Sequence, residues 1–329
     1  MFPKKSCFFY TLISLLIFQL VSCEKEPNKR TGKAVQFVDY DIENVLTIDS
    51  TNSANYITDF TLDSLGNIYA LDISDFQLKK FNPNGELIAK TGRKGDGPGE
   101  FKKHYYTVSK LPNPVGSASV KEVSIQLFSS TLEHQDVLLN NGIVSTFAAN
   151  NNGDILVSNF ATGNLDLLDL DGTYHKTIEE VDITDKKKIY DLVKYIKFYN
   201  DDIFYVSFPF KNLIQKFSIS QGLLDEFRLP SIPKFSRTND GLPKGPVIQG
   251  ITTLPNGRVW VVGRSFSKNP AQDIYVFNKK GEYIHTFVLP EKAQALTYNN
   301  QSLYTLGAGG YHIKKWKIDP KQVSSHEID

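Results

Sequence analysis

Residues 81–88 read Phe81-Asn82-Pro83-Asn84-Gly85-Glu86-Leu87-Ile88, and residues 277–284 read Phe277-Asn278-Lys279-Lys280-Gly281-Glu282-Tyr283-Ile284. Five of these eight positions are identical. A third copy, Leu168-Asp169-Leu170-Asp171-Gly172-Thr173-Tyr174, keeps the same spacing to its glycine. Each copy closes one apolar run, passes through a turn of Asn, Asp, Lys and Gly residues that accept a positive φ, and opens another run, which is the pattern of a β-hairpin. A unit met at intervals along a chain is one supersecondary element used repeatedly, and it decides the fold before any local motif does.

Working outward, a second phrase precedes each hairpin: Asp63-Ser64-Leu65-Gly66-Asn67-Ile68-Tyr69, Asn150-Asn151-Asn152-Gly153-Asp154-Ile155-Leu156 and Leu254-Pro255-Asn256-Gly257-Arg258-Val259-Trp260. Gly66 to Gly85 and Gly153 to Gly172 are both nineteen residues, so one unit of four strands is repeated. Gly257 to Gly281 is five longer, which places an inserted loop at 267–272. Weaker phrases at Tyr199–Tyr205 and Tyr298–Tyr304 set a period of about 45 to 55 residues, the size of a four-stranded propeller blade. The double gap between positions 66 and 153 requires a degenerate blade between Phe101 and Val144, where the diagnostic turn is missing. The expectation is an all-β, six-bladed β-propeller over residues 35–329, with four-stranded blades. The last repeat supplies only three strands, so the segment Val35–Ile48 is expected to pair with the C-terminal strand and remove the open edge.

Before the repeats, Lys4 and Lys5 precede an apolar stretch from Phe8 to Leu20. About a dozen residues fall short of the roughly 20 that a membrane-spanning helix needs, so residues 1–22 read as a cleaved secretory signal. Leu20-Val21-Ser22-Cys23 resembles the lipobox of bacterial lipoproteins, and the resemblance implies acylation of Cys23. Residues 23–34 then form a flexible polar tether, in which Glu24-Lys25-Glu26 resembles surface-export signals of Gram-negative lipoproteins. The expected location is the outer membrane, lipid-anchored, on its cell-surface or periplasmic face. Cys7 lies in the cleaved segment, so the mature domain has no thiol for a disulfide, a nucleophile or a metal. The formal charge of +1 falls to about −1 once Lys4 and Lys5 leave, which excludes the basic excess of a nucleic-acid binder. Abundant aromatics (22 Phe, 16 Tyr) with 22 Gly and 15 Pro favour strands over helices.

Gly66-Asn67-Ile68-Tyr69-Ala70-Leu71-Asp72, followed by Leu78-Lys79-Lys80-Phe81-Asn82-Pro83-Asn84-Gly85, resembles the NHL and TolB-like propeller repeat. Gly97-Pro98-Gly99-Glu100-Phe101 is similar to the phrase that follows the first blade in six-bladed propeller lipoproteins of gut-type Gram-negative bacteria. The resemblance implies fold and export; it implies no defined activity.

Candidate function falls on the longest non-repeating segments, Arg93–Phe101, 177–193, 229–247 and 264–273, which a propeller gathers on one face. Within them Arg93, Lys94, Asp96, Glu100, Arg237 and Arg264 are the candidate ligand-binding residues. The Gly95–Phe101 run lacks the Gly-Lys-Ser/Thr ending of a phosphate-binding loop and reads as a blade-linking turn with Phe101 packed inside. Asp166, Asp169 and Asp171 fall on a strand and its turn, without the distant Glu of a calcium loop. The histidines show no metal-ligand spacing, and residues 185–193 read as a short helix. The expectation is an envelope binding module for a glycan, a peptide or a partner protein, with no catalytic or metal residue assigned and its cofactor unknown. The alternative is a metal-dependent hydrolase or lactonase whose ligands converge from several blades in the central channel.

Overall fold

The computed structural model describes residues 34–95, 97–101, 106–110, 115–119, 124–139, 144–179, 192–230, 246–263 and 272–320. The expected secretory signal (residues 1–22), Cys23 and the expected tether up to residue 33 lie outside the described residues. So do Asp96, Arg237, Arg264, the expected helix up to residue 191, and the inserted loop up to residue 271.

The repeats fold as consecutive antiparallel meanders. β1 (Tyr40–Ile48) precedes the first of them, in which β2 (Ile57–Leu62), β3 (Ile68–Asp72), β4 (Gln77–Phe81) and β5 (Leu87–Thr91) pair in chain order. The next sheet is β6 (Tyr106–Lys110), β7 (Val115–Ser119), β8 (Ser124–Phe128) and β9 (His134–Leu139). It is followed by β10 (Val144–Ala149), β11 (Ile155–Asn159), β12 (Leu165–Leu168) and β13 (Tyr174–Glu179). Then come β14 (Tyr195–Phe198), β15 (Ile203–Phe208), β16 (Leu213–Ser218) and β17 (Gly222–Phe227). The fifth meander is β18 (Ile248–Thr253), β19 (Val259–Gly263), β20 (Asp273–Phe277) and β21 (Tyr283–Val288). The last repeat gives β22 (Ala293–Asn299), β23 (Ser302–Gly307) and β24 (Ile313–Pro320), and β1 completes its sheet.

The expected joint blade therefore exists. β1 runs antiparallel to β24, from Tyr40 opposite Pro320 to Ile48 opposite Ile313. The first strands β2, β6, β10, β14, β18 and β22 neighbour one another in that order, and β22 returns to β2. The architecture is an all-β propeller with four-stranded blades.

Alternating side chains explain why the sheets stand face to face. Every residue of β3, β11 and β19 is buried, which happens only when both faces of a strand are covered. Ile68 and Ala70 pack with Ile48, Tyr304 and Leu306 of the closing blade. Tyr69 and Leu71, one step out of phase, pack with Phe101, Phe128 and Leu132 on the other side. β19 behaves alike: Val259 and Val261 join Tyr205 and Ile214, while Trp260 and Val262 join Leu296, Leu303 and Trp316. At about 1.5–3 kcal/mol for each large apolar side chain buried, these inter-sheet layers hold the wheel together.

The hairpin phrase works through its first polar residue. Asn82 Oδ1 accepts from the amides of Asn84 and Glu86, both at 3.0 Å, and Asn278 Oδ1 accepts from Lys280 (2.9 Å) and Glu282 (3.0 Å). Asp169 does the same for Asp171 and Thr173. The β8–β9 turn corrects the expectation that the second blade lacks this device. Ser129 Oγ accepts from Thr131 (3.2 Å) and Glu133 (3.0 Å). Leu132, with φ of 68°, stands where Gly85, Gly172 and Gly281 have φ of 84°, 85° and 70°. A left-handed leucine carries a strain of about 1–2 kcal/mol, which its burial at 2% exposure offsets.

The segment before β1 ties two blades together. Thr286 of β21 donates its amide to Gln36 O and accepts from Val38 N, both at 2.8 Å. Tyr40 Oη lies 2.8 Å from His285 Nε2, and its ring packs on Phe287 with centroids 4.7 Å apart. Burial, reinforced by Arg258, holds the His285 pKa below its usual 6.5, so the neutral imidazole accepts from the phenol.

Two outcomes are expected. Because the folded pKa of His285 is depressed, its stabilising contribution is present above pH 6.5 and is lost as pH falls from 6.5 through the folded value. Protection factors of the Val38 and Thr286 amides, which normalise for the base-catalysed intrinsic rate, therefore fall on acidification. Tyr40→Phe removes about 1 kcal/mol and leaves that dependence in place, since burial and Arg258 set it; equal protection factors across the range would refute the depressed pKa. Leu132→Gly relieves strain yet loses a buried side chain, so chemical denaturation shows a net loss of about 1–2 kcal/mol.

Candidate functional site: the central channel

The first strands β2, β10, β18 and β22 carry a β-bulge at the same place. In β2 the pairing jumps from Ile57 to Asp59, in β10 from Val144 to Thr146, in β18 from Ile248 to Gly250, and in β22 from Ala293 to Ala295. The extra residues are Thr58, Ser145, Gln249 and Gln294, all uncharged and polar. A bulge leaves its extra residue out of the ladder and re-aims its side chain. All four line a central channel of about 1420 Å³. Thr58 and Ser145 are further fixed by contacts to the second strands, at Leu71 O (3.5 Å) and Ser158 Oγ (3.1 Å).

β14 pairs with β15 without interruption from Tyr195 to Phe198. Tyr195 and Lys197, two residues apart, therefore project to the same side and enter the channel. The Lys197 chain reaches past β18 to β22, where Nζ donates to Thr297 Oγ1 at 3.2 Å. Its ammonium thus lies in the lumen and not in the wall. Burial lowers the Lys197 pKa, against the opposing pull of Asp59. Burial, helped by Asp59, pushes the Tyr195 hydroxyl up to about 12, so it remains an O–H donor at neutral pH. Tyr195 Oη has no hydrogen-bond partner among the described residues. Asp59 lines the channel from β2, three first strands away.

Lys194, also on the channel wall, is committed to the scaffold. Its Nζ bonds Glu179 Oε2 at 2.6 Å and Gly163 O at 2.7 Å, and lies 5.3 Å from the centroid of the Phe208 ring.

The sequence-derived candidates sit elsewhere. Arg93, 82% exposed, pairs through Nε with Glu100 Oε1 at 2.7 Å. Glu100 Oε2 accepts the Gly97 amide at 2.9 Å; that bond first, then Arg93, lowers its pKa. Lys94 lies over the Phe76 ring, 5.7 Å from its centroid. Gln126 clamps the same turn, accepting from Gly99 N at 2.6 Å and donating to Glu100 O at 2.9 Å. Phe101 is 1% exposed and stacks on Phe128 at 5.9 Å. None of Arg93, Lys94 and Glu100 lines the channel; they build the link between β5 and β6.

Asp166, Asp169 and Asp171 do not converge either. Asp166 accepts from Thr177 Oγ1 at 2.7 Å, and the other two cap their hairpin. Among the described residues no group of three His, Cys, Asp or Glu side chains is placed to hold a metal.

Sequence reasoning passed over the channel residues, although a signal exists. Thr58, Ser145 and Gln249 each lie eight residues before the phrase glycine, at Gly66, Gly153 and Gly257. Lys197, Tyr195 and Asp59 carry no such mark.

The fold has solved counterparts. The chain is a β-propeller. It is similar to the virginiamycin B lyase of Staphylococcus aureus, with 15% identity over 87% of this chain and 90% of that one and a TM-score of 0.56. A Bacteroides thetaiotaomicron protein of unknown function gives a TM-score of 0.58 at 11% identity, covering 87% and 75% of the two chains. The Cps50 (Swd1) β-propeller domain of Myceliophteria thermophila gives 0.53 at 11% identity, over 85% of this chain and 100% of that one. Identities this low establish the fold and carry no chemistry across. No protein-family model and no curated protein matches the chain.

The two regions separate by mutation. Phe101→Ala costs about 3–5 kcal/mol in chemical denaturation, as for a large buried aromatic. Arg93→Ala, at an exposed ion pair, leaves the midpoint nearly unchanged; a large loss there would show that the Gly95–Phe101 turn depends on the pair.

Proposed function

We propose that this protein is an envelope lipoprotein, anchored to the outer membrane through acylated Cys23, whose propeller binds a ligand in its central channel and catalyses no reaction of its own. The observation that carries the binding reading is the ring of Thr58, Ser145, Gln249 and Gln294, four uncharged polar residues left out of the ladder by equivalent bulges and lining one channel of about 1420 Å³, three of them held in place by Leu71 O, Ser158 Oγ and the Gly309 amide. Backbone irregularity repeated at one depth of a rigid wheel is a fixed polar collar, and a few placed polar groups in a concave site are what orients a ligand. Six blades are the count that the repeat spacing favours. The charged segment after Cys23 favours the outer face of the membrane. A glycan or a peptide suits a channel of this size; a folded envelope partner would have to sit on its rim.

Both halves of the proposal are open to test. Cys23→Ser is expected to move the chain from the membrane fraction to the soluble fraction and to abolish labelling by radioactive palmitate. Persistence in the membrane would remove the anchor from the proposal. In the full-length Cys23→Ser chain, Gln249→Trp narrows the channel at the collar. Ligand captured from the native envelope is expected to be lost at least about tenfold, with an unchanged thermal melt. Undiminished capture by the Trp variant would move the site to the rim.

A further inference from the structure

The wall of the channel is chemically lopsided. On one side β14 and β22 present Lys197 and the Tyr195 hydroxyl. One Lys197 N–H is used on Thr297 Oγ1, which leaves two for the lumen. Tyr195 adds an O–H without a partner among the described residues, and Gln249 adds its amide from the intervening strand β18. The carboxylate Asp59 lines the channel from β2, the strand that adjoins β22, where Thr297 holds the ammonium. Around them stand the neutral Thr58, Ser145 and Gln294.

An ammonium and a phenol that enter one channel from the same face of β14 fit an oxyanion, because charge-assisted hydrogen bonds are the strong ones. Asp59 limits that anion. A group with two negative charges meets like-charge repulsion, whereas a single carboxylate flanked by hydroxyls satisfies Lys197 and Asp59 at once. A rigid ring with one carboxylate and several hydroxyls has that layout, and the neutral collar supplies partners for the remaining hydroxyls.

We propose that the channel is a binding site for an acidic sugar of the hexuronate class, with its carboxylate on Lys197 and Tyr195, its hydroxyls towards Asp59, and the neighbouring sugars against Thr58, Ser145, Gln249 and Gln294. This deepens the channel-binding reading above and rests on it.

The test uses the full-length Cys23→Ser chain and titration calorimetry with three probes: trigalacturonate; galactotriose, in which each carboxylate is replaced by a hydroxymethyl group; and trialanine. Trigalacturonate is expected to bind at least about tenfold more tightly than galactotriose. Lys197→Met should erase that difference without lowering the affinity for the neutral trimer, and Lys197→Arg should retain much of it. Circular dichroism melts of both variants, unchanged from the parent, separate lost recognition from lost folding. Equal affinity for the two trimers, unaffected by Lys197→Met, overturns carboxylate recognition and leaves a channel that binds neutral sugar. Lys197-dependent binding of trialanine alone replaces the sugar by a peptide terminus and overturns the inference. Failure of all three probes also overturns it. Whether the channel reading falls with it is decided separately, by whether Gln249→Trp still captures the envelope ligand.

Discussion

A four-stranded meander of this sequence has two apolar faces and cannot bury either by itself. Ile68 and Ala70 point one way from β3, Tyr69 and Leu71 the other, so every sheet needs a neighbour on both sides. A row of such sheets always leaves two faces uncovered unless it closes on itself. The closing cluster contains Ile48, Ile57 and Phe60 from the start of the propeller together with Tyr304, Leu306 and Ile313 from its end. Pairing β1 with β24 is thus the condition under which every other interface is complete, and it protects the strand edge most exposed to mispairing. The contacts of Gln36 and Val38 with Thr286 extend that closure to the adjacent blade.

Charged side chains inside the wheel reinforce the same scheme. Lys79 is buried against Asp72 at 2.8 Å, and also reaches Asp75 and Ser53 O. Asp72 in turn accepts the amides of Asn55, Tyr56 and Ser74, so one carboxylate fixes the approach of the chain to β2. Lys194 performs an equivalent task between Glu179 and Gly163. Ions this deep add little net stability over an apolar replacement, but removing one partner alone strands the other and is costly. Their effect is to hold the loops at one mouth in a single arrangement, which a preorganised site needs.

The fold was legible because its information is periodic. Glycines at fixed separation mark turns that demand positive φ, and Gly85, Gly172 and Gly281 all have it. The second blade escaped because Leu132 adopts that conformation without being glycine, and because Ser129 replaces the Asn or Asp that organises the other turns. The aligned phrase Phe128-Ser129-Ser130-Thr131-Leu132-Glu133 keeps the Phe and the Glu of Phe81-Asn82-Pro83-Asn84-Gly85-Glu86, and those two residues were the available clue. The site was legible only in part. Length and charge drew attention to Arg93 and Glu100, yet a charged residue beside a glycine-rich turn is as easily spent on the turn, and the Glu100 bonds to Gly97 and Arg93 show that it is.

Lys197 shows why the rest could not be read from spacing. Nothing in Tyr195-Ile196-Lys197-Phe198 distinguishes it from any half-buried strand with alternating polarity. Its position depends on β14 being regular where four of the other first strands are bulged. Regular alternation sends Ile196, with Phe198 packed beside it, into the layer shared with β11 and β12, and so turns Lys197 the other way, towards β18 and β22. There the chain is long enough to pass one strand and reach Thr297 on the next. A bulge in β14 would have moved Lys197 to the opposite face, because a one-residue slip exchanges the two faces of a strand. The charged point in the channel is thus set by the contrast between one regular strand and its irregular neighbours, a relation among distant segments that no local pattern contains.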